Sequence, residues 1–332
     1  MIGNTPLLKI DYEYKHIHQS IYVKSENYNL TGSIKDRIAY NIIDQGYSSG
    51  MLKPGGMIIE ATSGNTGIAV CAIGRMMGHP VTIFMPDWLS QERKKLIQSF
   101  GAEIILVSKE EGGFLGCIRK SQEFADSNEG SFLTKQFSSK FNPESHYKST
   151  GPEIWWQLQS CGLTPDAFLA GVGTGGTIMG TGKYLREKNP NIKLFPLEPA
   201  NMPILSTGYQ VGKHRIEGIA DDFVPPIVEL ANLDDIIGVH DGDAILMAQK
   251  LSRELGLGVG ISSGANIVGA ILANNKLGPD AVVVTVIADD NKKYLTTDLM
   301  REVPVLNIYH SPEIQLIGIR AINRVWEMDK YN

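Results

Sequence analysis

The middle of the chain alternates short apolar runs rich in β-branched residues with longer stretches in which apolar positions recur every three or four residues. The short runs MIIEAT (57–62), VTIFMP (81–86) and AEIILVS (102–108) have the length and composition of buried strands. Between them, GIAVCAIGRMMG (67–78) and SQERKKLIQSFG (90–101) have helical periodicity and end on glycine. Strands that alternate with helices in this way predict a parallel sheet.

A second series of the same kind follows. DAFLAGVG (166–173) and IKLFPLE (192–198) predict strands on either side of a helix over 177–189. AVVVTVIADD (281–290) is the strongest later strand. Two such series predict an α/β protein with two lobes, each a mostly parallel sheet flanked by helices.

The crossing between the lobes is QFSSKFNPESHYKSTGPE (136–153). We therefore expect an N-terminal lobe over residues 1–140. Its first strand could instead join the sheet of the other lobe. A C-terminal lobe over 141–302 and an amphipathic tail over 303–332 follow. The role of the tail is open, with a dimer contact as one interpretation.

Composition narrows the function classes. Of 332 residues 42% are hydrophobic and 20% charged, and the net charge of −5 argues against binding to nucleic acid or an anionic membrane. We find neither a signal peptide nor an apolar run of ~18 residues that could span a membrane. Cys71, Cys117 and Cys161 lack metal-like spacing, and we expect buried, reduced thiols in a soluble cytoplasmic protein with no metal site.

The loop GVGTGGT (171–177) follows a predicted strand and opens a helix, so its N–H groups and the helix dipole form an anion cradle. Gly171, Gly173 and Gly176 satisfy the dinucleotide pattern G-x-G-x-x-G, and Glu198 ends the next strand as a ribose-binding acid would. The hydroxyls of Thr174 and Thr177 favour a terminal phosphate monoester instead. A dinucleotide, another phosphate and a plain turn all remain open on these residues alone.

Two further segments have both a functional and an ordinary interpretation. ATSGNTG (61–67) is a strand-to-helix turn dense in small donors, which could hold a carboxylate or form an N-cap cluster. Lys35 lies after the turn Thr31-Gly32-Ser33 at the start of a predicted helix. The normal interpretation of a lone lysine is a solvated surface charge, and residue patterns alone do not promote Lys35 to a functional residue.

Taken together, these segments resemble one family. IGNTPL (2–7), KSENYNLTGSIKDR (24–37), EATSGNTGIA (60–69) and MPDWLSQERKKLIQSFGAE (85–103) are similar to the O-acetylserine sulfhydrylase (cysteine synthase) and cystathionine β-synthase family. The match continues in order through QFSSKFNPESHYKSTGPEI, GVGTGGT, GISSGAN and DDNKKYLTTDL, so it covers residues 2–299. The family implies the fold of type II pyridoxal-5′-phosphate (PLP) enzymes, related to tryptophan synthase β, and a homodimer.

The resemblance also implies a role for individual residues. Lys35 forms the Schiff base with PLP and later removes the substrate Cα proton. Asn65 hydrogen-bonds the 3′-oxygen of PLP, and Ser262 faces its pyridine nitrogen. The 5′-phosphate is held by the glycine loop, through Gly173, Thr174, Gly175, Gly176 and Thr177. The substrate carboxylate is held by Thr62, Ser63, Thr66 and Gln136.

The chemistry of these residues agrees with the implied roles. Displacing Lys35 from the cofactor leaves an amine poised above Cα, while the electron sink belongs to the cofactor. A serine hydroxyl at the ring nitrogen leaves that nitrogen unprotonated, which favours β-elimination to an aminoacrylate over transamination. The family therefore implies β-elimination or β-replacement on L-cysteine or an O-activated L-serine.

The chain departs from the family where a loop closes over the substrate. The family usually has G-I-G-A-G-F, whereas this chain has Gly218-Ile219-Ala220-Asp221-Asp222-Phe223. Both carboxylates could point to solvent, or Asp221 could face the β-carbon. There it would repel hydrosulfide, by roughly 4 kcal/mol for unit charges 4 Å apart at an effective dielectric of 20, and could act as a base for water.

Our leading hypothesis is therefore sulfide release from L-cysteine with water addition to give L-serine, a small-molecule reaction. Biosynthetic O-acetylserine sulfhydrylase activity is the close alternative, although the altered segment EPANMPIL (198–205) puts that donor in doubt. An NAD(P)-dependent enzyme and a catalytically silent binding module are the rivals from other classes.

Overall fold

The computed structural model describes residues 1–322 and 324. Its strands fall where the apolar runs predict them, with three further strands near the ends of the chain and two short ones. They are β1 (Leu7–Tyr14), β2 (Ile17–Ser25), β3 (Ile58–Ala61), β4 (Val81–Pro86), β5 (Glu103–Val107), β6 (Phe132–Leu133), β7 (Ala167–Gly171), β8 (Lys193–Pro199), β9 (Ile237–Val239), β10 (Val283–Ile287) and β11 (Gln315–Ile322).

Helices fill most of the connections between the strands. They are α1 (Lys35–Ser48), α2 (Asn65–Met76), α3 (Gln91–Ser99), α4 (Gly113–Ser127), α5 (Phe141–Ser145), α6 (Gly151–Gln159), α7 (Gly176–Lys188), α8 (Ile204–Thr207), α9 (Asp241–Leu255) and α10 (Ile261–Leu277). A π-helical turn, His146–Thr150, joins α5 to α6, so the predicted crossing over 136–153 is largely helical.

The strands form two sheets, and the predicted α/β architecture of parallel sheets flanked by helices is confirmed. The smaller sheet has the order β5-β4-β3-β6 and is parallel throughout. The larger sheet has the order β11-β1-β2-β10-β7-β8-β9. It is parallel from β2 to β9, while β1 runs antiparallel to both β2 and β11. The first two strands of the chain therefore lie in the larger sheet.

Burial explains why these runs form central strands. Every residue of β3, β4 and β10 is buried, as expected for parallel strands covered by helices on both faces. The edge strand β5 is more exposed. Because parallel strands end at the same edge of a sheet, the loops after β3, β7 and β10 are those expected to carry ligand-binding residues.

A buried ion network joins elements of the two lobes. Arg37, in the first turn of α1, contacts Glu26 after β2 (Nε–Oε2, 2.6 Å) and Glu153 of α6 (Nη1–Oε1, 2.7 Å). Lys24 of β2 also contacts Glu153 (Nζ–Oε2, 2.8 Å). Burial alone would raise the pKa of Glu153, but Arg37 and Lys24 hold it well below its usual range. All four side chains are buried, so each charge depends on its partners.

The tail and one of the cysteines need comment. The tail contributes β11, which pairs with β1, whereas residues 323 and 325–332 of the predicted tail lie outside the described residues. Cys71 and Cys117 are buried, but the expectation of a buried thiol is wrong for Cys161. It lies just after the end of α6, where the chain turns at the surface. No helix in the described part of the chain is long and apolar enough to cross a membrane.

We predict that Arg37→Leu lowers the free energy of unfolding by about 3–5 kcal/mol, because it leaves Glu26 and Glu153 buried without their shared cation. Denaturant unfolding measures this loss. The control is Arg119→Leu, since Arg119 is exposed and pairs with Glu123 at the surface of α4, where such pairs contribute about 0–1 kcal/mol. Equal losses in the two variants would contradict a special role for the network.

Candidate active site

A cavity of about 530 Å³ opens where loops of both sheets meet. It collects most of the residues that the sequence singles out: Lys35, Thr62, Ser63, Asn65, Thr66, Gln136, Gly173, Thr174, Asp221 and Ser262. An adjoining pocket of about 30 Å³ adds Gly175 and Thr177. Gly176 lines neither and is the first residue of α7. A larger cavity, of about 760 Å³ beside α5 and α7, contains none of them.

Lys35 is the first residue of α1 and lines the cavity. The turn before it is tied to the end of β10 by a backbone hydrogen bond from Ile34 N to Ala288 O (2.8 Å). Burial lowers the pKa of Lys35, and the carboxylates of Asp289 and Asp221 oppose that shift. The lysine is therefore a partly buried amine facing two carboxylates, and not a solvated surface charge.

The turn between β3 and α2 is compatible with both interpretations of its sequence, an N-cap cluster and a binding site for a carboxylate. The Thr62 hydroxyl accepts hydrogen bonds from the backbone of Gly64 (3.1 Å) and Gly67 (3.3 Å), as in an N-terminal cap. Thr66 donates to Gln136 Oε1 (2.6 Å), whose Nε2 donates to Ala61 O (2.9 Å). The same side chains line the cavity, so capping fixes the geometry of a polar wall.

Glu60 holds this wall in place through hydrogen bonds. It was not identified from the sequence. Its carboxylate accepts hydrogen bonds from the Thr134 hydroxyl and from the backbone of Ala61 (2.7 Å) and Gln136 (3.3 Å). Burial raises the pKa of Glu60 to about 7, although these donors oppose the shift. The available signal was one acidic residue inside the apolar run MIIEAT.

The glycine loop between β7 and α7 is closely surrounded. A Cβ on Gly173 would lie 2.4 Å from Gly218 O, and one on Gly176 would lie 1.8 Å from Asn142 Oδ1. Gly175 has a φ of +85°, in the left-handed region that favours glycine. Thr174 Oγ1 accepts from Asn142 Nδ2 (2.9 Å). The space that side chains would need here is thus filled by neighbouring residues. The loop also lines the small adjoining pocket at the start of α7, where the N–H groups of a helix N-terminus suit an anion.

The structure argues against a dinucleotide, because Glu198, the acid expected to bind its ribose, is engaged elsewhere. Glu198 is buried, and its carboxylate accepts hydrogen bonds from Leu205 N (2.7 Å) and from the Ser206 hydroxyl. It thereby closes the segment EPANMPIL onto itself. A carboxylate whose oxygens already accept hydrogen bonds within its own loop is not available to bind a ribose.

Ser262 lies in the first turn of α10 and is buried at the cavity wall. The same helix is fixed to the glycine loop by Asn266, which accepts from Gly171 N (2.8 Å) and donates to Val286 O (2.9 Å). The positions of Ser262 and of the loop are thus set by one helix.

The segment 218–223 brings both of its carboxylates to the cavity that Lys35 lines, but they differ in exposure. Ala220 has a φ of +52°, and its backbone is held by Val172 O (2.8 Å) and by His214 Nε2 (3.1 Å). Asp221 follows and is partly buried, whereas Asp222 is exposed and accepts from Gln210 Nε2 (2.9 Å). Burial raises the pKa of Asp221 to about 6, and Asp222 adds to the shift while Lys35 opposes it.

Arg93 and Tyr294 also line the cavity, and the fully buried Asp289 is hydrogen-bonded to its wall. None of these three side chains was singled out in the sequence. Asp289 follows β10, Tyr294 donates a hydrogen bond to it, and the guanidinium of Arg93 lies 5.1 Å from the centroid of the Tyr294 ring. Arg93 also forms an ion pair with Glu217, just before the segment that carries Asp221. In the sequence each of these charges looks like an ordinary surface residue.

Comparison with known proteins gives one family and several close relatives. A model of the family described as pyridoxal-phosphate dependent enzyme matches residues 1–289. A probable cysteine synthase of Bacillus subtilis is 41% identical over 299 residues, which are 90% of this chain and 96% of that protein.

Among solved structures, a hydrogen sulfide-producing enzyme from Fusobacterium nucleatum is 56% identical, with a TM-score of 0.96 over 98% of this chain and 97% of that chain. A second structure of that enzyme is an aspartate-to-asparagine variant in complex with an α-aminoacrylate intermediate. It is 55% identical, with a TM-score of 0.94 over the same shares of the two chains.

Proposed function

The chain belongs to the family of pyridoxal-phosphate dependent enzymes, and on that premise we propose that it releases sulfide from L-cysteine and adds water to give L-serine. The observation that carries this proposal is the carboxylate of Asp221, which shares a cavity with Lys35 and interacts with it electrostatically. The relative from Fusobacterium nucleatum that is described as producing hydrogen sulfide supports the release of sulfide.

The residues of the cavity fit PLP. The glycine loop lines the small pocket at the start of α7, and the N–H groups of a helix N-terminus suit the 5′-phosphate. Asn65 has a buried Oδ1 without a hydrogen-bond partner among the described residues, and such an atom calls for a ligand. In the proposal Lys35, Asn65, the loop residues Gly173–Thr177 and Ser262 hold the cofactor.

Bound PLP supplies an electron sink that makes the substrate Cα–H bond acidic. The chain supplies the base, for which we assign Lys35. Because burial lowers the pKa of Lys35, its nitrogen loses its proton more readily than that of an exposed lysine and can accept the Cα proton. It later returns that proton to Cα.

The wall formed by Thr62, Ser63, Thr66 and Gln136 is assigned to the substrate carboxylate. The Thr62 hydroxyl oxygen accepts hydrogen bonds from two backbone N–H groups, so its hydrogen is left to donate to the substrate carboxylate. One N–H of the Gln136 amide donates to Ala61 O, and the second is left for the substrate. A carboxylate held in this way turns the Cα–H bond toward Lys35, and such orientation can contribute up to ~7–11 kcal/mol.

Asp221 is assigned to the second half of the reaction. The Cβ–S bond breaks and sulfur leaves as hydrosulfide; Asp221 then takes a proton from water as the water oxygen bonds to Cβ. The proton passes on to the hydrosulfide, so cysteine and water become serine and hydrogen sulfide without any change of oxidation state. Base catalysis of this kind contributes about 10²–10⁴-fold.

The same carboxylate disfavours the biosynthetic direction. Hydrosulfide is anionic near neutral pH and needs no base, so Asp221 would repel it without helping it. Cysteine synthesis from O-acetylserine and sulfide is the second candidate, because the 41%-identical relative of Bacillus subtilis is named a probable cysteine synthase. Initial rates with each substrate set distinguish the two directions.

The proposal includes the setting expected from the sequence, a cytoplasmic homodimer acting on a small amino acid. The chemistry assigned above uses residues of one chain only. It therefore depends on neither expectation.

We predict that Asp221→Asn lowers the rate of serine formation from cysteine by about 10²–10⁴-fold, because water loses its base. Purified holoenzyme is supplied with cysteine, and serine and sulfide are quantified. Asp222→Asn is the matched control and keeps its maximal rate within a few fold, whereas Lys35→Ala abolishes turnover. Unchanged serine formation in Asp221→Asn would show that Asp221 is not the base.

The pKa of Asp221 predicts a pH dependence. A base works only when it is deprotonated, so the rate of serine formation should rise as the pH increases through about 6 and level off above it. Because Asp222 contributes to the raised pKa of Asp221 by like-charge repulsion, Asp222→Asn should move the rise to lower pH. A pH profile of kcat in the parent and in Asp222→Asn measures this; a rise that stays in place would remove Asp222 from the account.

A further inference from the structure

Asp289 is a fully buried carboxylate that has no role in the proposed function. It follows β10, and its Oδ2 accepts hydrogen bonds from Asn65 Nδ2 (2.7 Å) and from the Tyr294 hydroxyl. A niche beside Gly260 accommodates its other oxygen, since a Cβ there would lie 2.2 Å from Oδ1. That oxygen has no hydrogen-bond partner among the described residues. A buried carboxylate without a directly bonded cation is costly and calls for an explanation.

The carboxylate determines how the Asn65 amide is turned. An ionised carboxylate only accepts hydrogen bonds, so the amide nitrogen of Asn65 must face it. One N–H is used in that contact, which leaves the second N–H and the partnerless Oδ1 for the cavity that Asn65 lines. Asp289 therefore fixes which atoms Asn65 presents to a ligand.

The backbone of Asp289 forms an isolated antiparallel bridge with Ser33, two residues before Lys35, and its charge acts on that lysine. Three groups face this carboxylate from different elements: Lys35 of α1, the Arg93 guanidinium of α3 and the Tyr294 hydroxyl. Lys35 is in turn faced by two carboxylates, Asp289 and Asp221. Of these, Asp289 is fully buried and tied to the cavity wall by two donors, whereas Asp221 is partly exposed on a loop.

We propose that Asp289 is a positioning residue, which orients Asn65 toward the 3′-oxygen of PLP and supplies the fixed negative charge that keeps a proton on the cofactor-bound Lys35 nitrogen. The inference rests on the proposed cofactor site and extends it to a residue that contacts neither substrate nor reacting atoms. Its two effects are separable, because one acts through a hydrogen bond and the other through charge.

The test uses holoenzyme and two spectroscopic readouts. In Asp289→Asn the long-wavelength absorbance band of bound PLP should be lost at a pH about 1 unit or more below the pH at which the parent loses it, because the neighbouring negative charge is gone. The affinity for added PLP, measured after cofactor removal, should fall by about tenfold, as expected when Asn65 is no longer oriented by the hydrogen bond that it donates to a charged carboxylate.

Tyr294→Phe provides a second variant with the opposite sign. It keeps the ring beneath Arg93 but removes a donor from the carboxylate, so the charge of Asp289 is less neutralised. The band should therefore persist to at least as high a pH as in the parent. If either variant fails to fold, the other still gives a reading.

An unchanged pH range and an unchanged PLP affinity in Asp289→Asn would overturn the inference, as would a Tyr294→Phe band lost at a pH below that of the parent. Failure of the proposed function looks different. In that case the parent itself would bind no PLP, or would form no serine from cysteine, whereas failure of this inference alone leaves a parent that does both.

Discussion

The placement of Lys35 depends on the buried ion network around Arg37, two residues further along α1. The apolar face of α1 packs in the core of the smaller lobe through Ile42 and Ile43, while Arg37 reaches Glu26 and Glu153 in the part of the molecule built on the larger sheet. A buried charge cannot move from its partners without a large desolvation cost. The network thus fixes the first turn of α1, and with it the amine, at the junction of the two sheets.

The second determinant is the pairing of that amine with two carboxylates, of which Asp221 lines the cavity and Asp289 is buried at its wall. Asp289 approaches Lys35 from the end of β10 and Asp221 from the segment 218–223. The first is buried and anchored by Asn65 and Tyr294, and the second is partly exposed with a pKa raised to about 6. One carboxylate is therefore suited to a fixed charge, and the other to exchanging a proton with water near neutral pH.

Much of the fold and part of the site could be predicted from the sequence because their signals are local. Apolar runs such as VTIFMP gave strands, and the loops that follow them were expected to line a cavity, as they do. Arg93 and Asp289 could not be found in this way, because only the tertiary fold shows that such charges are buried. Glu60 had one local signal, its position inside the apolar run MIIEAT, and it was missed. For Cys161 the error is in the other direction, since it was expected to be buried and is exposed. Its neighbours in sequence did not reveal that α6 ends just before it, at the surface.

The source of the serine oxygen tests the central claim most directly. Holoenzyme is incubated with L-cysteine in water enriched in oxygen-18, and the serine formed is analysed by mass spectrometry alongside released sulfide. The account predicts serine that carries the label in its side chain, in an amount equal to the sulfide released. Sulfide released without labelled serine would contradict the claim that water completes the reaction.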